Sequence, residues 1–319
     1  MATSALAMPR TTKNNRATGL AMLAGYIALY VATLYAMSRW GGFDPSDALA
    51  VAVLLGLGFS VVAWAVTIGA KALSCAVNQP APELIVLAIY FVALTAFVTW
   101  GFDGLRRTFP ADPAQAYALV IAKLAIFVAL PFWMMRSRFG YRWRELAPSR
   151  FKPRHVLAML AMSALFVAFQ AVAGRGLRDI TAAHVHAQTL LWGMPIAFLW
   201  LTLEAGVVEE FFFRVLLQSR LTAVLKSELG SIVVASLLFG LMHAPGLYLR
   251  TGIMQEGLPP HPPLWMAVGY SIVITSVAGL VFGVLWSRTR NFALLTLVHG
   301  AADLLPDFLP TMRALHLLR

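Results

Sequence analysis

Residues 190–217 read LLWGMPIAFLWLTLEAGVVEEFFFRVLL. The run is long enough to cross a bilayer, because a spanning helix needs about 20 mostly apolar residues. Yet it carries Glu204, Glu209, Glu210 and Arg214. Each ionisable group at the centre of a membrane helix costs roughly 2.5–3.5 kcal/mol on insertion scales. A chain that keeps several there uses them, so this stretch points to both a membrane fold and a chemistry.

Working outward, eight more apolar runs lie at 19–38, 48–73, 83–102, 116–135, 155–173, 231–249, 264–286 and 291–305. Composition agrees: 60% of the 319 residues are hydrophobic and 12% charged. That is about half the charged share of a soluble domain, which excludes a soluble enzyme, and the apolar content excludes disorder. A single cysteine, Cys75, excludes a disulfide framework and a Cys-based zinc cluster. The expected fold is all-α, a polytopic helical membrane bundle of about eight or nine spans. The ninth run is short and polar, with His299 and Asp303 inside it. The first follows a basic stretch without a small-residue cleavage site and reads as a retained anchor. The chain divides into N-terminal spans with a basic loop, 1–154, and a C-terminal part that holds the chemistry, 155–319.

The net charge of +11 does not indicate nucleic acid, since no reading motif accompanies it. Seven of the 25 Lys and Arg fall within 136–154, and most others flank apolar runs. With the N-terminus inside, 15 lie on the inner side: Arg10, Lys13, Arg16, Lys71, those seven, Arg220, Lys226, Arg288 and Arg290. Eight lie outside: Arg39, Arg106, Arg107, Arg175, Arg178, Arg250, Arg313 and Arg319. This bias predicts a cytoplasmic N-terminus and a cytoplasmic 136–154 loop. The loop also contains Phe139, Tyr141, Trp143 and Phe151. It reads as an ordinary positive-inside anchor against membrane lipid in preference to a dedicated interfacial segment. The absence of a retrieval signal points to the plasma (inner) membrane, and oligomeric state leaves no mark in the sequence.

Within Glu209-Glu210-Phe211-Phe212-Phe213-Arg214, successive helical side chains stand about 100° apart. Glu210 and Arg214 are four apart, on one face and in the favoured acid-before-base order. Glu209 stands about 140° from Arg214 and faces elsewhere. Two adjacent carboxylates in a low dielectric resist ionising together, which suits one of them to general-base work. The next runs supply Phe239-Gly240-Leu241-Met242-His243 and His299-Gly300-Ala301-Ala302-Asp303. A Glu and a His can hold and deprotonate water, and an Asp four residues after a His can orient the imidazole. Gly300 leaves room beside His299 for a backbone or a substrate. Counting residues from the inner ends predicts that acid and both histidines share one depth, about 13–19 Å from the cytoplasmic face. Lys123 reads as snorkelling or paired. Glu204 lines a cavity or pairs with a neighbour, and His184, His186 and His261 are expected in surface loops.

Glu-Glu-x-x-x-Arg, Phe-x-x-x-His and His-x-x-x-Asp on successive spans resemble the CPBP family. These are the CAAX proteases and bacteriocin-processing (Abi) intramembrane endopeptidases, and the similarity covers roughly 190–303. The resemblance implies peptide-bond hydrolysis near the membrane on a hydrophobic or prenylated peptide. Glu209 and His243 would activate water, Glu210 and Arg214 would support them, and His299 with Asp303 would stabilise the oxyanion. Eukaryotic members carry Asn where this chain has Asp303, and an ionised Asp cannot donate to an oxyanion. Asp303 is then protonated, orients His299 or joins a metal site. Glu209, His243 and His299 form a His₂Glu set of zinc-ligand type, although the reading favours a glutamate mechanism that needs no cofactor. A different class, an ion-coupled transporter or a non-proteolytic scaffold, would use the same polar cluster; no inverted repeat accompanies it.

Overall fold

The computed structural model describes residues 13–249 and 257–318. Arg10, Arg250 and Arg319, three charges of the orientation count, lie outside the described residues. Among those described there is no strand, and nine helices are long and apolar enough to cross a membrane. They are α1 (Arg16–Gly41), α2 (Pro45–Val66), α3 (Pro80–Thr108), α4 (Ala114–Phe139), α5 (Pro153–Ala173), α6 (Ala187–Leu225), α7 (Glu228–Leu249), α8 (Leu264–Thr289) and α9 (Phe292–Ala314). The protein is thus an integral, multi-pass helical bundle.

Several boundaries differ from the sequence reading; the third helix runs on to Thr108 and the sixth to Leu225. The second helix ends at Val66, and 67–79 run as an extended segment after Gly69 turns with φ +77°. Apolarity alone had carried that run to residue 73. The last helix continues through Pro306 and Pro310 to Ala314, so it is not short. Proline in a membrane helix is tolerated where neighbouring helices enclose the freed backbone groups, and the spans α8 and α9 are the most enclosed of the nine.

The faces of the bundle are chemically unlike. One gathers the ends of α2, α4, α6 and α8 with the starts of α3, α5, α7 and α9. Here the extended segment is stitched down by Leu73 N–H to Thr289 O (2.9 Å) and Ala76 N–H to Glu145 O (2.9 Å). The Asn291 amide donates to Arg150 O at 2.6 Å, and Arg290 pairs with Glu228 at 2.7 Å. Beneath them Arg220 meets Glu83 at 2.9 Å with both side chains fully buried. The Tyr141 hydroxyl donates to the same carboxylate at 2.7 Å. Burial, followed by that hydrogen bond, pushes the Tyr141 phenol upward in pKa.

The basic loop is therefore not simply an anchor against lipid. Tyr141 is buried in the Glu83–Arg220 network, and the Trp143 ring stacks on Phe211 with centroids 4.9 Å apart. Of its four aromatics Phe151 is the most exposed, and Trp143 is exposed in part.

Removing one member of a buried ion pair strands the other charge, at a cost of about 3–5 kcal/mol. Arg220→Met should lower stability in detergent by that amount. Arg220→Met with Glu83→Leu should recover much of the loss, read as the coupling in a double-mutant cycle of thermal unfolding.

Candidate active site

Three helices converge on the glutamate pair. α6 is unusually long, and its backbone widens into π-type turns at Thr202–Val207 and Phe211–Gln218, on either side of the pair. Such widenings are frequent at functional sites. α9 approaches α6 closely because both carry glycine at the crossing. A Cβ on Gly206 would stand 2.5 Å from Thr296 O, and one on Gly300 would stand 2.1 Å from Thr202 Oγ1 and 3.1 Å from Thr202 Cα. The space beside His299 is thus filled by backbone. Gly240 plays the same part between α7 and α8, where a Cβ would meet Ser271 O at 2.4 Å.

Glu210 and Arg214 are both fully buried and form an ion pair, Nε to Oε2 at 3.4 Å. The guanidinium also lies over the Phe239 ring, 5.2 Å from its centroid. Its nitrogens have no hydrogen-bond partner among the described residues, so charge compensation rather than hydrogen bonding holds it. The other Glu210 oxygen, Oε1, hydrogen-bonds His299 Nδ1 at 2.8 Å, a link the sequence reading did not foresee. It had given His299 to Asp303 alone. Asp303 is there too, with Oδ2 3.4 Å from His299 Nε2. Phe282 stacks on the imidazole, centroids 4.7 Å apart, and no sequence signal marks that residue.

Glu209 faces away from this pair, as helix geometry required. Its Oε1 is 3.8 Å from His243 Nε2 and its Oε2 is 3.6 Å from His299 Nε2. Both separations exceed a hydrogen bond, so the carboxylate keeps its accepting capacity. His243 Nδ1 lies 2.9 Å from Phe239 O. A carbonyl only accepts, so Nδ1 carries a hydrogen, and Nε2 is the nitrogen turned towards Glu209.

Glu209, His243 and His299 all line one cavity of about 590 Å³ with Asp303, Gln170 and Trp200. A second, of about 520 Å³, shares Glu209 and His243 with it, and a third, of about 470 Å³, shares His243 and Asp303. Glu204 lines the first two and is paired after all, with Lys123 at 2.8 Å and the Trp200 indole at 2.6 Å. Lys123 is thereby paired, not free at the surface. His184, His186 and His261 are exposed, away from the cluster. As for zinc, no group of three His, Cys, Asp or Glu side chains among the described residues is disposed to hold a metal ion.

Comparison with known proteins gives one positive finding. Residues 191–305 match the family model of the type II CAAX prenyl endopeptidases, Rce1-like. That interval contains Glu209, Glu210, Arg214, His243, His299 and Asp303. No curated protein and no solved structure matched the chain.

The glycine crossing is testable apart from any activity. Gly206→Ala and Gly300→Ala push a methyl into backbone and should each cost about 1–3 kcal/mol. Gly25→Ala, with nothing within 4 Å of the added carbon, should not. Thermal unfolding in detergent reads all three.

Proposed function

We propose, from the premise that residues 191–305 are a CAAX-protease domain of the CPBP family, that the protein is a glutamate-dependent intramembrane endopeptidase. Its substrate is a hydrophobic or prenylated peptide, and 155–319 form the catalytic core against the N-terminal spans of 1–154. The observation that carries this reading is the Glu209 carboxylate. It lies between two imidazole Nε2 atoms on a cavity wall, at 3.8 and 3.6 Å, with no hydrogen bond consuming it.

The chemistry follows from which atoms can take or give a proton. Glu209, with His243 Nε2 beside it, takes a proton from a water molecule. The water oxygen attacks the scissile carbonyl carbon, and the C=O electron pair moves onto oxygen. His299 is the donor on hand for that oxyanion. Its Nδ1 is committed to Glu210, and its Nε2 points into the cavity. Asp303, accepting at 3.4 Å, orients the ring in this reading and does not itself donate. The proton passes to the leaving nitrogen as the C–N bond breaks. Glu210 and Arg214 are positioning residues, acting through His299. We further infer that the chain resides in the plasma membrane with its N-terminus cytoplasmic, in keeping with the basic face.

Purified protein and a library of lipidated and unlipidated peptides test the reading. Glu209→Gln and His243→Ala should each slow cleavage by about 10²–10⁴ with unfolding temperature unchanged. His299→Ala should slow it by about 10²–10³. A strong zinc chelator should leave the wild-type rate unaltered. Rates lost with chelator and restored by zinc would make the same side chains ligands, and a wild type that cleaves nothing would overturn the assignment.

A further inference from the structure

The two cavities that hold Glu209 and His243 differ in charge. In the one of about 590 Å³ the lining carries Asp112, Glu204, Asp303 and Asp307 besides Glu209, against one lysine, Lys123, which Glu204 holds. The one of about 520 Å³ is apolar over most of its wall, through Phe102, Phe127, Val208, Phe213, Met242 and Leu249. Of its charged lining, Lys123 and Glu204 pair with each other, and Asp103 pairs with Arg107 at 2.6 Å. That leaves Arg106, half-buried, whose guanidinium meets no carboxylate among the described residues.

Arg107, one residue on, shows what a flanking arginine does on this helix: it is exposed and tied to Asp103. Arg106 instead belongs to the cavity wall. Val98, Phe102 and Arg106 stand four apart on α3 and line the cavity together. The Thr95 hydroxyl is 4.0 Å from Met242 Sδ, which sets Thr95 level with His243. Arg106 lies eleven residues further along α3, about 16 Å at 1.5 Å per residue. An extended peptide covers that distance in about five residues.

A guanidinium at the end of an apolar chamber is a bidentate receptor for a carboxylate, and the neighbouring acidic cavity repels the same group. We propose that Arg106 is a specificity-determining residue. It receives a carboxylate carried by the substrate a few residues from the scissile bond, while the apolar residues between them fill the cavity. That carboxylate is the chain terminus or an acidic side chain. This rests on the endopeptidase reading and adds to it a residue outside the matched interval 191–305.

The peptide library, made as free acids, as C-terminal amides and as amides ending in Asp, tests the proposal on full-length protein in detergent. Wild type should cut a carboxylate form with a KM about 10–100-fold below that of the plain amide. Arg106→Gln should raise that KM by the same factor, leave the amide as it was, and keep kcat and unfolding temperature. Arg107→Gln should change neither form, and Arg106→Glu should turn the preference towards amides ending in Lys. A preference for the free acid alone identifies the terminus, and an equal one for the Asp amide identifies any carboxylate at that distance. Acid and amide cut alike by wild type, or Arg106→Gln weakening both equally, would overturn the proposal.

Binding separates this claim from the chemistry. The same peptides, fluorescent at the N-terminus, are titrated by anisotropy against Glu209→Gln and against Glu209→Gln with Arg106→Gln. Tighter binding of a carboxylate form, lost in the double variant, supports the subsite even where wild type cuts nothing and the endopeptidase reading falls. Equal binding of all forms, or none of any, overturns the subsite while leaving the reading of Glu209 to the cleavage assay.

Discussion

The contact on which the site depends is the hydrogen bond between Glu210 and His299, 2.8 Å long and buried on both sides. It joins α6 to α9 at a point where neither side chain can turn to water. Glu210 balances Arg214 with one oxygen and fixes the imidazole with the other. By occupying Nδ1 it leaves Nε2 to face Glu209 and Asp303. Remove it and a buried guanidinium loses its counter-charge while the imidazole loses its orientation. Such a loss is far costlier in a low dielectric than at a surface. The glycines at the α6–α9 crossing serve this contact by letting the two backbones approach closely.

The same economy governs the basic face. Charges there lie over an apolar interior, and those that turn inward are paired: Arg220 with Glu83, Arg290 with Glu228. Buried pairs add little net stability against an apolar alternative. What they do is fix which connection lies over which helix end, so that segments far apart in sequence form one continuous cover. The cavities that hold Glu209 take no lining residue from that cover.

Much of this was legible in the sequence, because membrane insertion makes the code severe. Nine apolar runs gave nine helices, since in lipid every backbone polar group must be satisfied within the segment. The separate facing of Glu209 and of the Glu210–Arg214 pair followed from helical angles alone. The partners across helices were not legible. Nothing in the spacing of His299 distinguishes a bond to Asp303, four residues on, from one to Glu210 on another helix. Glu83 and Arg220 looked like ordinary flanking charges because they stand near the ends of their apolar runs, 137 residues apart, and nothing in either run marks the pairing. Residue counts give depth within one helix, not which neighbours line the cavity around it.

Adjacency of the two glutamates then has a physical purpose. Side chains one residue apart on a helix diverge by about 100°, so a single turn can present one carboxylate to the packed interior and the next to a cavity. The first meets Arg214 and His299 and is spent on structure; the second meets the Nε2 atoms of two imidazoles at 3.8 and 3.6 Å and is left open. The wide turns on either side of the pair, Thr202–Val207 and Phe211–Gln218, shift the facing of what precedes and follows it. Glu204 is thereby turned to Lys123 and the cavity wall, Phe211 and Phe212 pack into the interior, and Phe213 lines the second cavity. One helix thus carries cavity wall, open carboxylate and packed interior in sequence order, which fixes where along it the two glutamates can differ in surroundings.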